Sequence, residues 1–207
     1  MSEPAVAAPL PAGRREQTKA ANRAAILRAA GEVFADIGYD AAGVRDIVRR
    51  TGLASGTFYN YFPDKESVFR ALLEESAIEA RARVRAARRS AGSLEQFVHG
   101  AYLAYFRFLA EDRPTFELIR RNASTIRTMF DEPQLGAGME ELRDDLHAAA
   151  DGGTLPELDI EYLAAAMVGA AFEIGVRMVE RHPPDVEGAG AFASALFLGG
   201  IERLGAA

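Results

Sequence analysis

Residues 44–62 read VRDIVRRTGLASGTFYNYF. Val44, Ile47 and Val48 recur at the spacing that places apolar side chains on one face of a helix, with Arg45, Arg49 and Arg50 on the other. Thr51-Gly52-Leu53 ends that helix, because glycine takes the left-handed backbone of a sharp turn without a Cβ clash. Leu53 is expected to point inward, as a pin between two crossing helices. A short segment follows in which Ser55, Gly56 and Thr57 are small and Tyr59, Asn60 and Tyr61 carry hydrogen-bonding groups that reach further. Phe58 and Phe62, four apart, belong on the core side. Helix, glycine turn and polar-aromatic helix are the parts of a helix-turn-helix, whose second helix enters the major groove of DNA. Small residues permit close approach to a backbone or base edge, and the longer side chains supply donors. A helical hairpin with an aromatic plug shares this outline, so the flanks have to separate the two.

The flanks are specific. Gly38-Tyr39, Val44-Arg45-Asp46-Ile47, Thr51-Gly52-Leu53, Gly56-Thr57-Phe58-Tyr59-Asn60-Tyr61-Phe62 and Lys65-Glu66 resemble, at matching spacing, the amino-terminal DNA-binding domain of the TetR family of bacterial transcriptional regulators. The resemblance covers roughly Thr18 to Phe69, about a quarter of the chain. It implies a homodimer that reads a double-stranded DNA operator with two heads and pairs through its last two helices, about residues 160–204. Two positions depart from the family pattern. Gly43 and Ala54 stand where members usually carry a hydroxyl residue as helix N-cap. Glycine is a tolerable cap, and a shift of one residue would let Ser55 replace Ala54.

The 207 residues carry a formal charge of −6, an unpromising total for a ligand of phosphates. Its distribution is more favourable: residues 1–70 hold ten basic and eight acidic side chains, so this third is +2 and the remainder −8. Exposed charges are screened beyond about 8–10 Å, so the local sign matters more than the total. Arg14, Arg15, Lys19 and Arg23 form a basic arm suited to phosphates or the minor groove, or else a solvated leader. Lys65, after Pro63-Asp64, opens a fourth helix where its ammonium and the helix amino terminus suit a phosphate; an i,i+4 charge pair is the alternative. The expected DNA contacts are therefore Arg14, Arg15, Lys19, Arg45, Ser55, Gly56, Thr57, Tyr59, Asn60, Tyr61 and Lys65.

Hydrophobic residues at 49% and charged residues at 26% describe an ordinary globular protein, without an uninterrupted run of eighteen apolar residues to span a bilayer. A cytoplasmic location is expected, with no membrane partner. The proline-rich start MSEPAVAAPLPAG lacks a basic n-region and reads as a disordered tail. The absence of cysteine excludes disulfides, thiolate zinc sites and a cysteine nucleophile. His99, His147 and His182 are far apart, and no glycine-rich phosphate loop follows a strand. No catalytic set, metal or cofactor is expected.

The pattern predicts an all-α chain of about nine helices: a tail over 1–17, a helix-turn-helix domain over 18–64 and a helical ligand-binding and dimerisation body over 65–207. The first helix is expected from Thr18 to Ile37 and the fourth from Lys65 to Arg89, with Glu79–Arg89 as a solvated face. Ser93-Leu94-Glu95-Gln96 reads as a capping box, and Asp112 and Pro114 start a sixth helix. Pro133, Gly136 and Gly138 are expected to break the chain before Met139–Ala150 resumes. The last two helices, about 160–181 and 186–204, are rich in alanine and glycine, and their apolar surface calls for more than one partner face. Tyr102, Phe106, Phe116, Phe130 and Phe172, with Arg120 for an anionic end, are the expected contacts of a small apolar or amphipathic effector. The residues around Arg120 equally suit a surface ion-pair network. The reading is a ligand-responsive transcriptional regulator, a repressor released from a pseudo-palindromic operator. The alternative is a helical ligand-binding or scaffold protein that no longer reads DNA.

Overall fold

Asp64, Asp112, Asp159 and Asp185 each precede a helix, and each carboxylate accepts a hydrogen bond from the backbone N–H three residues on. Such caps satisfy donors that the first turn leaves unpaired. The computed structural model describes residues 13–129 and 133–206. Among them are ten helices and no strand: α1 Gly13–Ile37, α2 Val44–Thr51, α3 Ser55–Tyr59, α4 Lys65–Arg89, α5 Leu94–Glu111, α6 Arg113–Arg121, α7 Ala123–Arg127, α8 Pro133–Asp151, α9 Ile160–Val179 and α10 Val186–Gly205.

Three boundaries differ from the sequence reading. α1 starts at Gly13 and not at Thr18, because Arg14, Arg15, Glu16 and Gln17 are good helix formers. α8 starts at Pro133 and runs through Gly136 and Gly138. Proline suits a first turn, and a glycine costs a helix only about 1 kcal/mol, which packing of Leu135 and Met139 offsets. Asn122 separates α6 from α7, which makes ten helices of the expected nine. Caps differ in detail as well. Asp46 accepts from Gly43 N–H at 3.0 Å, whereas Ala54 caps α3 with no side-chain bond and Ser55 does not replace it. Gln96 reaches Gly92 N–H at 2.8 Å, one residue before the expected partner.

The head is a three-helix unit around Ile26, Phe34, Ile47 and Phe58, all essentially without solvent exposure. Its core is completed from outside: Val68, Phe69 and Leu73 come from α4, and Leu118, Ile126 and Met129 from α6 and the stretch after it. Phe34 and Phe69 meet edge to face at 5.2 Å between centroids, and Tyr39 joins them. Head and body are therefore cemented by shared apolar surface. In the body, α5 lies between α4 on one side and α10 and α9 on the other. Val98, Phe106, Leu146, Met178 and Ala193 form the centre of the second core. α9 is long and apolar enough to cross a membrane by length and composition, though Glu173 and Arg177 interrupt it.

Candidate DNA-reading face and ligand cavity

Gly52 ends α2 with φ 67°, the left-handed turn expected of it, and Leu53 packs on the head core. The turn sets α3 so that Phe58 and Phe62 are buried while Ser55, Gly56, Tyr59 and Asn60 are exposed and Thr57 is half-buried. Tyr59 is 57% exposed. A Cβ added to Gly56 would meet nothing within 4 Å. Arg45, Arg15 and Lys19 are exposed too. Among the basic residues of α2, Arg50 pairs with Asp36 at 2.6 Å and Glu32 at 3.6 Å, bracing α2 to α1, while Arg49 lies 3.8 Å from Asp46 on its own helix.

Two expected contacts have other occupations. Tyr61 is half-buried against the head core. Lys65 Nζ donates to the carbonyls of Tyr39 at 2.8 Å, Ala42 at 3.0 Å and Asp40 at 3.4 Å, and sits 4.4 Å from the Tyr39 ring centroid. An ammonium has three donors, and here all three hold the turn between α1 and α2. Asp64, not an external anion, occupies the start of α4. The Arg14 side chain lies outside the described residues, as do residues 1–12 and Phe130.

The body holds a half-open cavity of about 580 Å³, within the range typical of small-molecule sites. α4 to α9 all contribute to its wall, which includes Val84, Tyr102, Tyr105, Phe108, Ile119 and Phe172. Tyr102 donates its hydroxyl to Met167 O at 3.1 Å. Burial raises the pKa of both tyrosines, that of Tyr105 to about 12, so both stay neutral donors. Of the expected ligand contacts, Tyr102 and Phe172 are on the wall. Phe106 and Phe116 are in the solid core. Arg120 is outside, pairing with Glu117 at 2.8 Å, because it sits on the solvent side of α6. The charged residues at the cavity are instead Arg81, Arg88, Arg143 and Glu140. Arg81, Arg85 and Arg88, at i, i+4 and i+7, share one face of α4. That spacing was the available signal within a stretch expected to be solvated; Arg88 is buried.

The outer faces of α9 and α10 are apolar and bare. Tyr162 is 78% and Phe192 63% exposed, with Leu196 and Leu204 also open. Ala165, Ala166 and Gly169 extend the first face, and Ala191, Ala195 and Gly199 the second. A Cβ on Gly169 or Gly199 would meet nothing within 4 Å, so no contact inside the chain requires glycine there.

Residues 26–72 match the family model described as bacterial regulatory proteins, tetR family. The HTH-type transcriptional activator FasR of Mycolicibacterium smegmatis is 33% identical over 115 residues, 56% of this chain and 50% of that one. The uncharacterized HTH-type transcriptional regulator YvdT of Bacillus subtilis is 47% identical over 49 residues, 24% of this chain and 25% of that one. The head, residues 26–72, is therefore similar to the amino-terminal domain of TetR-family regulators. The match thus spans half or less of each of these relatives. Among solved structures, the fatty acid degradation regulator FadR of Bacillus halodurans superposes with a TM-score of 0.74 at 25% identity, covering 87% of this chain and 96% of its own. FadR from Bacillus subtilis, solved in complex with stearoyl-CoA, gives 0.75 at 23% identity over 86% and 98%, a likeness of fold. The relatives are transcription regulators, and the all-α architecture expected from the sequence is the one they share.

Proposed function

We propose that this chain is a TetR-family repressor that binds a pseudo-palindromic operator as a homodimer and leaves it when a small apolar or amphipathic molecule enters the body cavity. The observation that carries the reading is the division of α3: Phe58 locks it to the head core while Ser55, Gly56, Tyr59 and Asn60 are exposed and Thr57 half-buried, with Arg45 exposed on α2. A polar reading face on a rigid support, with small residues at its leading end, suits the major groove. The dimer forms through α9 and α10, whose bare apolar faces and glycines admit a second copy at close range. Two heads must then fit half-sites set by the pitch of DNA, so a small pivot of α4 weakens both. A ligand drives that pivot only by preferring the non-binding conformation. The stearoyl-CoA in the Bacillus subtilis FadR structure supports an acyl chain as the apolar part. The repressor sign rests on economy, since blocking polymerase requires only occupancy, and the cytoplasm is where such a protein meets its DNA.

The test is a footprint on DNA flanking its own gene over a salt series. Expected is a symmetric protected site whose log affinity falls linearly with log salt, weakened about tenfold or more by Tyr59→Ala with folding intact. No specific footprint at low salt would leave a helical ligand-binding protein in its place.

A further inference from the structure

Among the described residues, the charged groups on the cavity wall are Arg81, Arg88, Arg143 and Glu140, so this wall carries +2 in a chain of −6. The α4 arginines face Glu141 and Asp145, one turn apart on α8. Glu141 is shared: Oε1 lies 3.2 Å from Arg85 Nη2 and 3.6 Å from Arg81 Nε, and Oε2 lies 3.7 Å from Arg88 Nη2. These separations exceed the 2.7–2.9 Å of a charge-assisted hydrogen bond. Arg88 Nε is 2.9 Å from Asp145 Oδ2, at an angle that leaves its N–H without a hydrogen bond. The Nε atoms of Arg81 and Arg143 and Oε2 of Glu141 are likewise buried without a hydrogen bond. The Arg88 side chain keeps only 5% exposure, and a buried guanidinium is costly unless its donors are satisfied. Burial lowers its pKa, while Asp145 and Glu141 act in the opposite sense.

We propose that Arg81 and Arg88 form an anion subsite at the α4–α8 side of the cavity, which takes the carboxylate or phosphate end of an amphipathic ligand in the place Glu141 now holds. The proposal rests on the reading of the cavity as the effector site. Glu141 is an internal stand-in: it neutralises the arginine row from α8 without completing its hydrogen bonds. A ligand oxyanion with free orientation completes them from the cavity side and releases Glu141. Because α4 runs from the head to the body, the exchange also loosens a clasp between α8 and the helix that carries the head. A neutral molecule of the same shape fills the apolar part and leaves the clasp closed.

Calorimetric titration of the full chain with dodecanoate, dodecyl phosphate and dodecanol separates the contributions. Both anions are expected to bind about tenfold more tightly than the alcohol, and the larger gain identifies the preferred headgroup. Arg81→Met and, independently, Arg88→Met should abolish that gain while leaving dodecanol affinity unchanged; Arg81 is partly exposed, so its variant is the safer to fold. Glu141→Gln, which weakens the competitor, should tighten both anions. Equal affinities for anion and alcohol, with DNA release intact, would overturn the subsite and leave the regulator reading standing. Binding of none of the three would overturn both.

Discussion

Asn122 Oδ1 accepts a hydrogen bond from the Tyr39 backbone N–H at 2.6 Å, across 83 residues of sequence. The same amide donates to Phe34 O at 3.2 Å and Leu118 O at 2.7 Å, and Asn122 is buried. One side chain thus ties the joint between α6 and α7 to the end of α1, where the chain turns through Gly38. Ile119 and Ile126, either side of that joint, line the cavity. Under the proposed function, a ligand that displaces either residue is expected to act on the head through this hydrogen-bonded joint.

Asn122→Ala leaves the Tyr39 N–H and Phe34 O facing a buried gap. A stability loss of about 1–3 kcal/mol is expected in urea denaturation. A loss below about 0.5 kcal/mol would show that the grip is dispensable.

Lys65→Met removes three hydrogen bonds from the turn between α1 and α2 and the cation over Tyr39. The variant should melt lower and bind DNA more weakly, with the slope of log affinity against log salt unchanged. A slope reduced by about one would instead make Lys65 a phosphate contact.

Gly199→Leu places a large side chain where the protomer has open space. Within one copy it should be neutral or mildly stabilising, since glycine is a poor helix former. Between copies it blocks close approach. Light scattering should report a monomer, and operator binding should fall with it. A dimer unchanged by Gly199→Leu and by Leu196→Asp would place the interface elsewhere.

Asp64 Oδ1 accepts a hydrogen bond from the Ser67 backbone N–H at 2.7 Å at the start of α4, which, with the Ser67 side chain beside it, holds the carboxyl below the usual carboxylate range. A group whose folded pKa is depressed contributes stability above its unfolded pKa and loses it as pH falls through the folded one. In melting curves from neutral pH downward, the advantage of the wild type over Asp64→Asn should be constant near neutrality and shrink below about pH 4. An advantage that persists in acid would assign the cap to shape and not to charge.

The head could be read almost entirely from residues 38 to 66, because what shapes it is local. A glycine with positive φ, an apolar i, i+3, i+4 set and two phenylalanines four apart interact within a few turns of one another, so their order in the chain carries their geometry. The α8 start could not be read in this way. Gly136 and Gly138 are weak helix formers in isolation, and contacts made by Leu135 and Met139 with distant helices override that weakness.

The cavity shows the same boundary among the arginines. Arg120 beside Phe116 looked like a ligand contact and pairs with Glu117 on its own helix, whereas Arg88 sat in a stretch that looked solvated and is buried against α8. Sequence by itself determined the helical class, the glycine turn and the polar face of α3, since each depends on neighbours in the chain. Which arginine meets the cavity, that Lys65 holds a turn, and that Asn122 joins body to head were decided only by tertiary structure. Each of these depends on a partner 23 to 88 residues away, and periodicity along one helix carries no information about which other helix will cover it.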